Sequence, residues 1–301
     1  MQYYLLLGLS CLLGGVRLGF NKLYVNKYGS NLKSALWFLF LCCGFFFVMM
    51  LAIQRSLAFS AFSVILALIF AVINVACTTF GFATLAIGNV ATYNLVLMLG
   101  GMLVPFAYGV TLGGEAVTLP KTVCMLLITA ALVVGMEKKK EGGKSSRRAL
   151  LYYALLFALN GMACIVLSVH QTVPTPFGAT AVDTTSFTML YMLFTSVLSL
   201  IVFIALRIRD GKPKTPVKRG PDILLSAGYG IFYGLANLIS AFCLLHIETS
   251  AQFPILTGGS VVLAGIVGLF FKEKITPRFL IAASLVIAGT LLLLPWGSIL
   301  A

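Results

Sequence analysis

Ser10, Gly14, Arg17 and Asn21 recur at intervals of four, three and four residues, which sets them on one face of a helix. Arg17 is the first charged side chain of the chain, and Leu, Gly, Val and Phe surround it. Gly15 and Gly19 lie roughly on the other side, as a small-x-x-x-small pair suited to close helix contact. Arg17 is therefore aimed at protein or at a water-filled cavity. Two roles suit it there: contact with an anionic group of a substrate, or a structural one, with the long side chain snorkelling to a polar boundary or pairing locally.

Further polar stripes interrupt other apolar stretches. Ser226, Tyr229, Tyr233, Asn237 and Ser240 follow intervals of three, four, four and three. Ser63, Phe70, Asn74 and Thr78 form a similar row earlier in the chain. Asn160 sits near the middle of a stretch that ends in Ser168, His170 and Gln171, while Asn94 and Pro105, then Gln252, Pro254 and Thr257, mark two others. Two tyrosines and an asparagine on one face suit a cavity wall that binds by hydrogen bond and ring contact. The same groups also serve as polar contacts between helices. A proline inside an apolar helix frees a backbone carbonyl for a neighbour or a substrate, which makes Pro105 and Pro254 candidate hinges. The candidate cavity set is Arg17, Asn21, Asn74, Asn94, Asn160, Tyr229, Tyr233, Asn237, Gln252 and Thr257.

Other chemistry is thin. The eight acidic residues, Glu115, Glu137, Glu141, Asp183, Asp210, Asp222, Glu248 and Glu273, all fall between apolar stretches or at their ends. A carboxylate deep in such a stretch is the default proton relay or cation partner. Its absence argues against proton-driven export of cations by that route, and leaves His170, Glu248 or a substrate's own charge. His170, His246 and Glu248 form a weak metal or proton constellation that spacing does not support. The seven cysteines lie within apolar stretches without a C-x-x-C pair, so neither a zinc site nor a disulfide framework is expected. No H-E-x-x-H, G-x-S-x-G or P-loop occurs, and Gly258-Gly259 reads as a packing pair. The expectation is a protein that is not an enzyme and needs no cofactor.

The elements that must position these residues follow from composition. Hydrophobic residues make up 60% of the 301, charged residues 10%, and the mean hydropathy is +1.05. Soluble domains carry about 25% charged residues. The apolar residues come in ten blocks, roughly 2–21, 35–54, 60–82, 89–112, 120–136, 149–169, 186–206, 222–245, 250–271 and 276–295. A bilayer core needs about 20 helical residues. The fifth block is at the short end, and the third and fourth part only near Ala86-Ile87-Gly88. Trp37 and Trp296 are placed as interfacial anchors. Arg17 lies five residues before Lys22, about 7.5 Å along a helix, so a snorkelling side chain reaches the headgroups. Burial at the bilayer centre costs about 2.5–3.5 kcal/mol.

The net charge of +13 is organised. Eighteen of the 21 lysines and arginines fall in odd-numbered loops, with Lys138 to Arg148 and Arg207 to Arg219 the densest groups; only Arg55 and Lys121 fall in even ones. By the positive-inside rule the odd loops are cytoplasmic and both termini lie outside a multi-pass cell-membrane protein. Orientation accounts for the basic charge, so no nucleic-acid partner is expected. No positive region precedes the first apolar run, so no cleaved signal peptide is expected.

The chain also repeats. Tyr3-Tyr4-Leu5-Leu6-Leu7 corresponds to Tyr152-Tyr153-Ala154-Leu155-Leu156 at an offset of 149. TLGGEAVTLPK (111–121) resembles LFFKEKITPR (269–278), each with a Glu three residues before a Thr, then a Pro and a basic residue. These matches divide the chain into 1–136, a basic linker at 137–148, and 149–301. Five spans per half is odd, so the second half enters the membrane inverted, a recurring transporter device.

On these features the chain resembles the ten-helix, EamA-like members of the drug/metabolite transporter superfamily over essentially its whole length. The resemblance includes the ninth block, SAQFPILTGGSVVLAGIVGLFFKEK, with its early proline and small-residue run. It implies an all-α integral membrane protein of ten transmembrane helices in two inverted five-helix repeats, with helices one to four of each half around a central cavity. It also implies movement of small metabolites, amino acids or drugs. The single-repeat cation exporters of the superfamily carry a glutamate in helix one; here Cys11 to Gly15 has none. The expectation is a secondary transporter working by alternating access on a small metabolite, anionic or zwitterionic given Arg17. The alternative is a non-transporting scaffold or accessory protein. The expected partners are that substrate and the lipid bilayer, with a homodimer left open.

Overall fold

The computed structural model describes residues 2–28, 31–87, 90–135, 147–172, 180–209, 220–270 and 277–293. Within them run α1 (Gln2–Tyr28), α2 (Leu32–Gln54), α3 (Ala61–Ile87), α4 (Val90–Thr111), α5 (Leu119–Gly135), α6 (Arg147–Thr172), α7 (Thr184–Arg209), α8 (Gly220–Cys243), α9 (Thr249–Phe270) and α10 (Pro277–Leu292). No strand occurs among the described residues. Seven helices are long and apolar enough to cross a membrane, and the apolar segments Val96–Thr111, Leu119–Val134 and Pro277–Leu292 are shorter. Large apolar side chains such as Leu5, Ile65 and Ile201 stay exposed on the outer faces, as lipid-facing positions require. The chain is a multi-pass membrane protein.

Helix starts follow local chemistry. Asn31 caps α2 by accepting from the Ser34 amide at 2.8 Å, Ser60 caps α3 through the Ser63 amide at 3.2 Å, and Asp183 caps α7 through the Ser186 amide at 2.9 Å. Each satisfies one amide of a helix's first turn. Pro120 and Pro277 stand in the first turns of α5 and α10, where a missing N–H costs nothing. α2 stops at Arg55, whose φ of 55° is the left-handed conformation of a helix end. α1 extends to Tyr28 rather than ending at 21. Its last turns form a real amphipathic face, with Tyr24 buried against Phe38 at 4.1 Å and beside Tyr28 at 5.0 Å; polar Asn26 and Lys27 hid this from a hydropathy reading.

Helices pack mostly on partners distant in sequence. α1 lies on α8 and α9, α6 on α3 and α4, α2 on α7 and α8, α3 on α7, α5 on α10, and α4 on α9. The main core joins α2, α3, α6, α7 and α8 around Phe46, Phe70, Phe187 and Tyr191; a second gathers Leu7, Met102, Cys124, Ile128 and Cys243. Glycines bring some helices into direct contact. A Cβ on Gly15 of α1 would stand 2.8 Å from Leu263 of α9, and one on Gly259 would stand 2.7 Å from the Cys11 sulfur. On the α4–α6 contact, Gly101 faces Asn160 and Gly161 faces Val104 with as little room. The seven cysteines are free.

The turns α2–α3, α4–α5, α6–α7 and α8–α9 meet at one end of the bundle. The Ala58 amide donates to Ser186 (3.2 Å), Ser63 bonds the Val182 amide (3.0 Å) and His170 (2.9 Å), and Cys243 donates to the Tyr3 carbonyl. The start of α1 is thus at this end. Arg17 is fourteen residues along α1 from Tyr3, about 20 Å at the helical rise.

Candidate functional site

The face of α1 that carries Ser10 and Arg17 looks onto α8. The Ser10 hydroxyl donates to the Ala236 carbonyl at 2.7 Å, buried between the helices. Two turns further on, the Arg17 guanidinium lies over the Tyr233 ring, 4.8 Å from its centroid, in a cation–π arrangement that a desolvated site strengthens. It also faces the Tyr229 hydroxyl. The two tyrosine rings stand 5.6 Å apart, and Phe38 of α2 lies 4.9 Å from Tyr229. Across the bundle, the Asn74 side-chain amide of α3 donates to the Tyr233 hydroxyl at 3.4 Å. Helical spacing on α8, one turn between Tyr229 and Tyr233, stacks both rings on the side that α1, α2 and α3 approach.

Among the described residues no acidic side chain answers the charge on Arg17. Its Nε is shut off from solvent and has no hydrogen-bond partner. The acidic side chains described are Glu115, Asp183 and Glu248, and all three belong to the turns at the other end. Among the described residues no carboxylate pairs with Arg17. The guanidinium thus lies against the Tyr233 ring and the Tyr229 hydroxyl, with its Nε–H left without a partner.

Of the ten candidate residues, four therefore converge: Arg17, Tyr229, Tyr233 and Asn74. Asn21 is half-buried one turn beyond Arg17 on the same helix. Asn237 turns its amide back to the Tyr233 carbonyl of its own helix at 2.8 Å. Asn160 donates to the Leu97 carbonyl at 2.6 Å and ties α6 to α4, the interhelical role weighed from the sequence. Gln252 is fully buried and pins the start of α9 to Ser240 of α8, with bonds of 2.7 Å and 3.0 Å. Thr257 is half-buried, and its carbonyl accepts from Ser260 at 2.7 Å. The Asn94 side chain lies outside the described residues, as do Trp296 and the Glu273 turn. Pro105 and Pro254 are both inside helices.

The histidine constellation does not form. His170 bonds Ser63 and stacks 3.5 Å from the Phe187 ring, whereas His246 stacks 3.7 Å from Tyr3. Among the described residues no group of three His, Cys, Asp or Glu side chains is placed to hold a metal ion.

The polar face of α7 was not among the stripes singled out from the sequence. Thr188, Tyr191, Thr195 and Ser199 are fully buried on one face, and the hydroxyls of Tyr191, Thr195 and Ser199 have no hydrogen-bond partner. Intervals of three, four and four residues carried that signal. Tyr191 packs 4.4 Å from Phe70, one turn of α3 before Asn74. Nor did the sequence single out Glu115 as the partner of the first amides of α9, or Lys121 as the partner of Glu248.

Comparison with known proteins gives a consistent picture. No curated protein matches the chain. Several solved structures do. One, described only as the crystal structure of a protein, superposes with a TM-score of 0.74 at 17% identity, covering 98% of this chain and 97% of its own. That likeness is one of fold. Residues 172–294 match the EamA-like transporter family, so over this stretch the chain is similar to a family of transporters.

Proposed function

We propose that the protein is a secondary transporter that moves a small anionic or zwitterionic metabolite by alternating access. The observation that carries this reading is Arg17: a guanidinium on the Tyr233 ring with a buried, unpartnered Nε and, among the described residues, no carboxylate beside it. An uncompensated charge in such surroundings is costly, and an acidic group of the substrate offsets that cost. Tyr229, Tyr233 and Asn74 then hold the substrate by ring contact and hydrogen bond.

The mechanism proposed is rocking of two inverted halves, 1–136 and 149–301, each of five membrane-spanning helices, about this site. Two features support it. Shifting every helix number by five turns the principal neighbour pairs into one another: α1–α8 into α3–α6, α1–α9 into α4–α6, and α2–α8 into α3–α7. The α1–α9 and α4–α6 contacts are also both glycine-lined. The cytoplasmic placement of the odd turns remains the reading of the charge bias.

The test is thermal unfolding of the purified protein with small organic acids, amino acids, neutral compounds and amines, wild type beside Arg17→Gln. Anions or zwitterions should raise the wild-type Tm and leave the variant unmoved. At a ligand concentration of 100 Kd the stabilisation is about 2.7 kcal/mol. Equal stabilisation of both proteins by amines or neutral compounds would overturn the reading and leave Arg17 an anchor.

A further inference from the structure

The end of the bundle remote from Arg17 carries an ionic device of its own. Glu115 lies in the α4–α5 turn and reaches across to α9, where its two oxygens accept from the Thr249 amide at 2.7 Å and the Ser250 amide at 2.8 Å. A helix start is ordinarily capped by the residue just before it. Here that residue, Glu248, pairs instead with Lys121 of α5. The cap comes from 134 residues away in the chain. Lys121 is itself almost completely covered; its ammonium lies 3.9 Å from the Glu115 carboxylate and donates to the Ala116 carbonyl at 2.9 Å.

The surroundings are shaped for this carboxylate. A Cβ on Gly109 would stand 2.7 Å from a Glu115 oxygen, and the Gly109 carbonyl accepts the Glu115 amide at 2.9 Å. The missing side chain in α4 is the seat. Gly114, with φ +67°, lets the turn fold back onto it. Carboxylate against amide ends is also the favourable sense of the helix dipole.

We propose that Glu115, with Lys121, is a latch that closes this end of the transporter. It is engaged in the state seen here and lets go when the first turn of α9 swings away from the α4–α5 turn. The proposal rests on the alternating-access reading. The links are made between distant segments, so they break without unfolding either one. Their partners are backbone amides at a helix start, which water can satisfy once exposed. Pro254, inside α9 just beyond the latch, supplies a place for that helix to bend.

Cys243 reports on the latch. It is buried at the end of α8, five residues before Glu248, while Cys42 and Cys43 are buried in α2. The experiment is the rate of labelling of these thiols by a water-soluble maleimide in the full-length protein in detergent. Glu115→Ala should label Cys243 at least about tenfold faster than wild type, the factor that losing even one of its two charge-assisted hydrogen bonds would set, with Cys42 and Cys43 still protected. Gly109→Ala keeps both charges but fills the seat; it should do the same, and stands in if the first variant does not fold. Unchanged labelling of Cys243, or a parallel rise at Cys42 and Cys43 that marks general loosening, would overturn the latch. Labelling reads opening whether or not a substrate moves, so failure of the latch and failure of the transport reading leave different records.

Discussion

At the scale of residues, the account turns on a few polar side chains that do different work despite similar surroundings. Arg17 and Tyr233 form a cation–π pair with one donor to spare. Arg17→Lys should not rescue anion-dependent stabilisation, because an ammonium lacks the planar face and the fork of donors; the thermal-shift series used for Arg17→Gln checks this. Tyr233→Phe keeps the ring beneath Arg17 and removes only the bond from Asn74. It should cost about 0.5–1.5 kcal/mol in ligand binding, read as a change in Kd. Asp183 has another task. Burial pushes its carboxyl up, but the hydrogen bonds it accepts from Ser186 outweigh that and hold it below the usual carboxylate range. A depressed carboxyl contributes stability above its unfolded pKa and loses it as pH falls through the folded one. Asp183→Ala should therefore cost about 1 kcal/mol at neutral pH as a lost N-cap. The gap in Tm from wild type should close once the pH drops below the ordinary carboxylate range.

At the scale of elements, hydrophobic blocks and caps fix most of what is built. The apolar blocks anticipate the ten described helices, seven of which are long and apolar enough to cross a membrane, because a spanning helix must be apolar almost throughout. Their ends were less legible, since α1 continues to Tyr28 on aromatic contacts with α2 that no local pattern reveals. The small-x-x-x-small pair of the first span was legible as a contact face, and Gly15 does meet Leu263 while Gly19 meets Val267. Which helix it meets was not, because pairing partners lie more than 240 residues apart. The same limit applies to the site. Spacing put Tyr229 and Tyr233 on one face, and the join to Asn74 is a tertiary fact. Gly15→Leu should force α1 off α9 and destabilise by about 1–3 kcal/mol, as overpacking does; Gly8→Leu, where a Cβ meets nothing within 4 Å, should be nearly neutral. Unfolding temperatures of the two variants check the contrast.

At the scale of the whole molecule, the proposed site at Arg17 and the proposed latch at the other end are the two parts that an alternating-access mechanism requires. In the sequence the proposed repeat rests on two short matches. The neighbour pattern, in which helix pairs exchange when numbers shift by five, is far stronger support and is invisible to a single chain read in order. Cutting the basic linker at 137–148 should leave the halves associated, since α1–α8, α2–α7 and α5–α10 contacts all cross between them; co-elution of the two fragments after proteolysis in detergent checks it. The central claim is that Arg17 receives the acidic group of a transported substrate. The most direct test is exchange of a radiolabelled acid, chosen as the one that most raises the wild-type Tm, in proteoliposomes loaded with the same unlabelled compound. Wild type should exchange it, and Arg17→Gln, equally folded and reconstituted, should fall to the rate of empty liposomes. Undiminished exchange by Arg17→Gln would contradict the account.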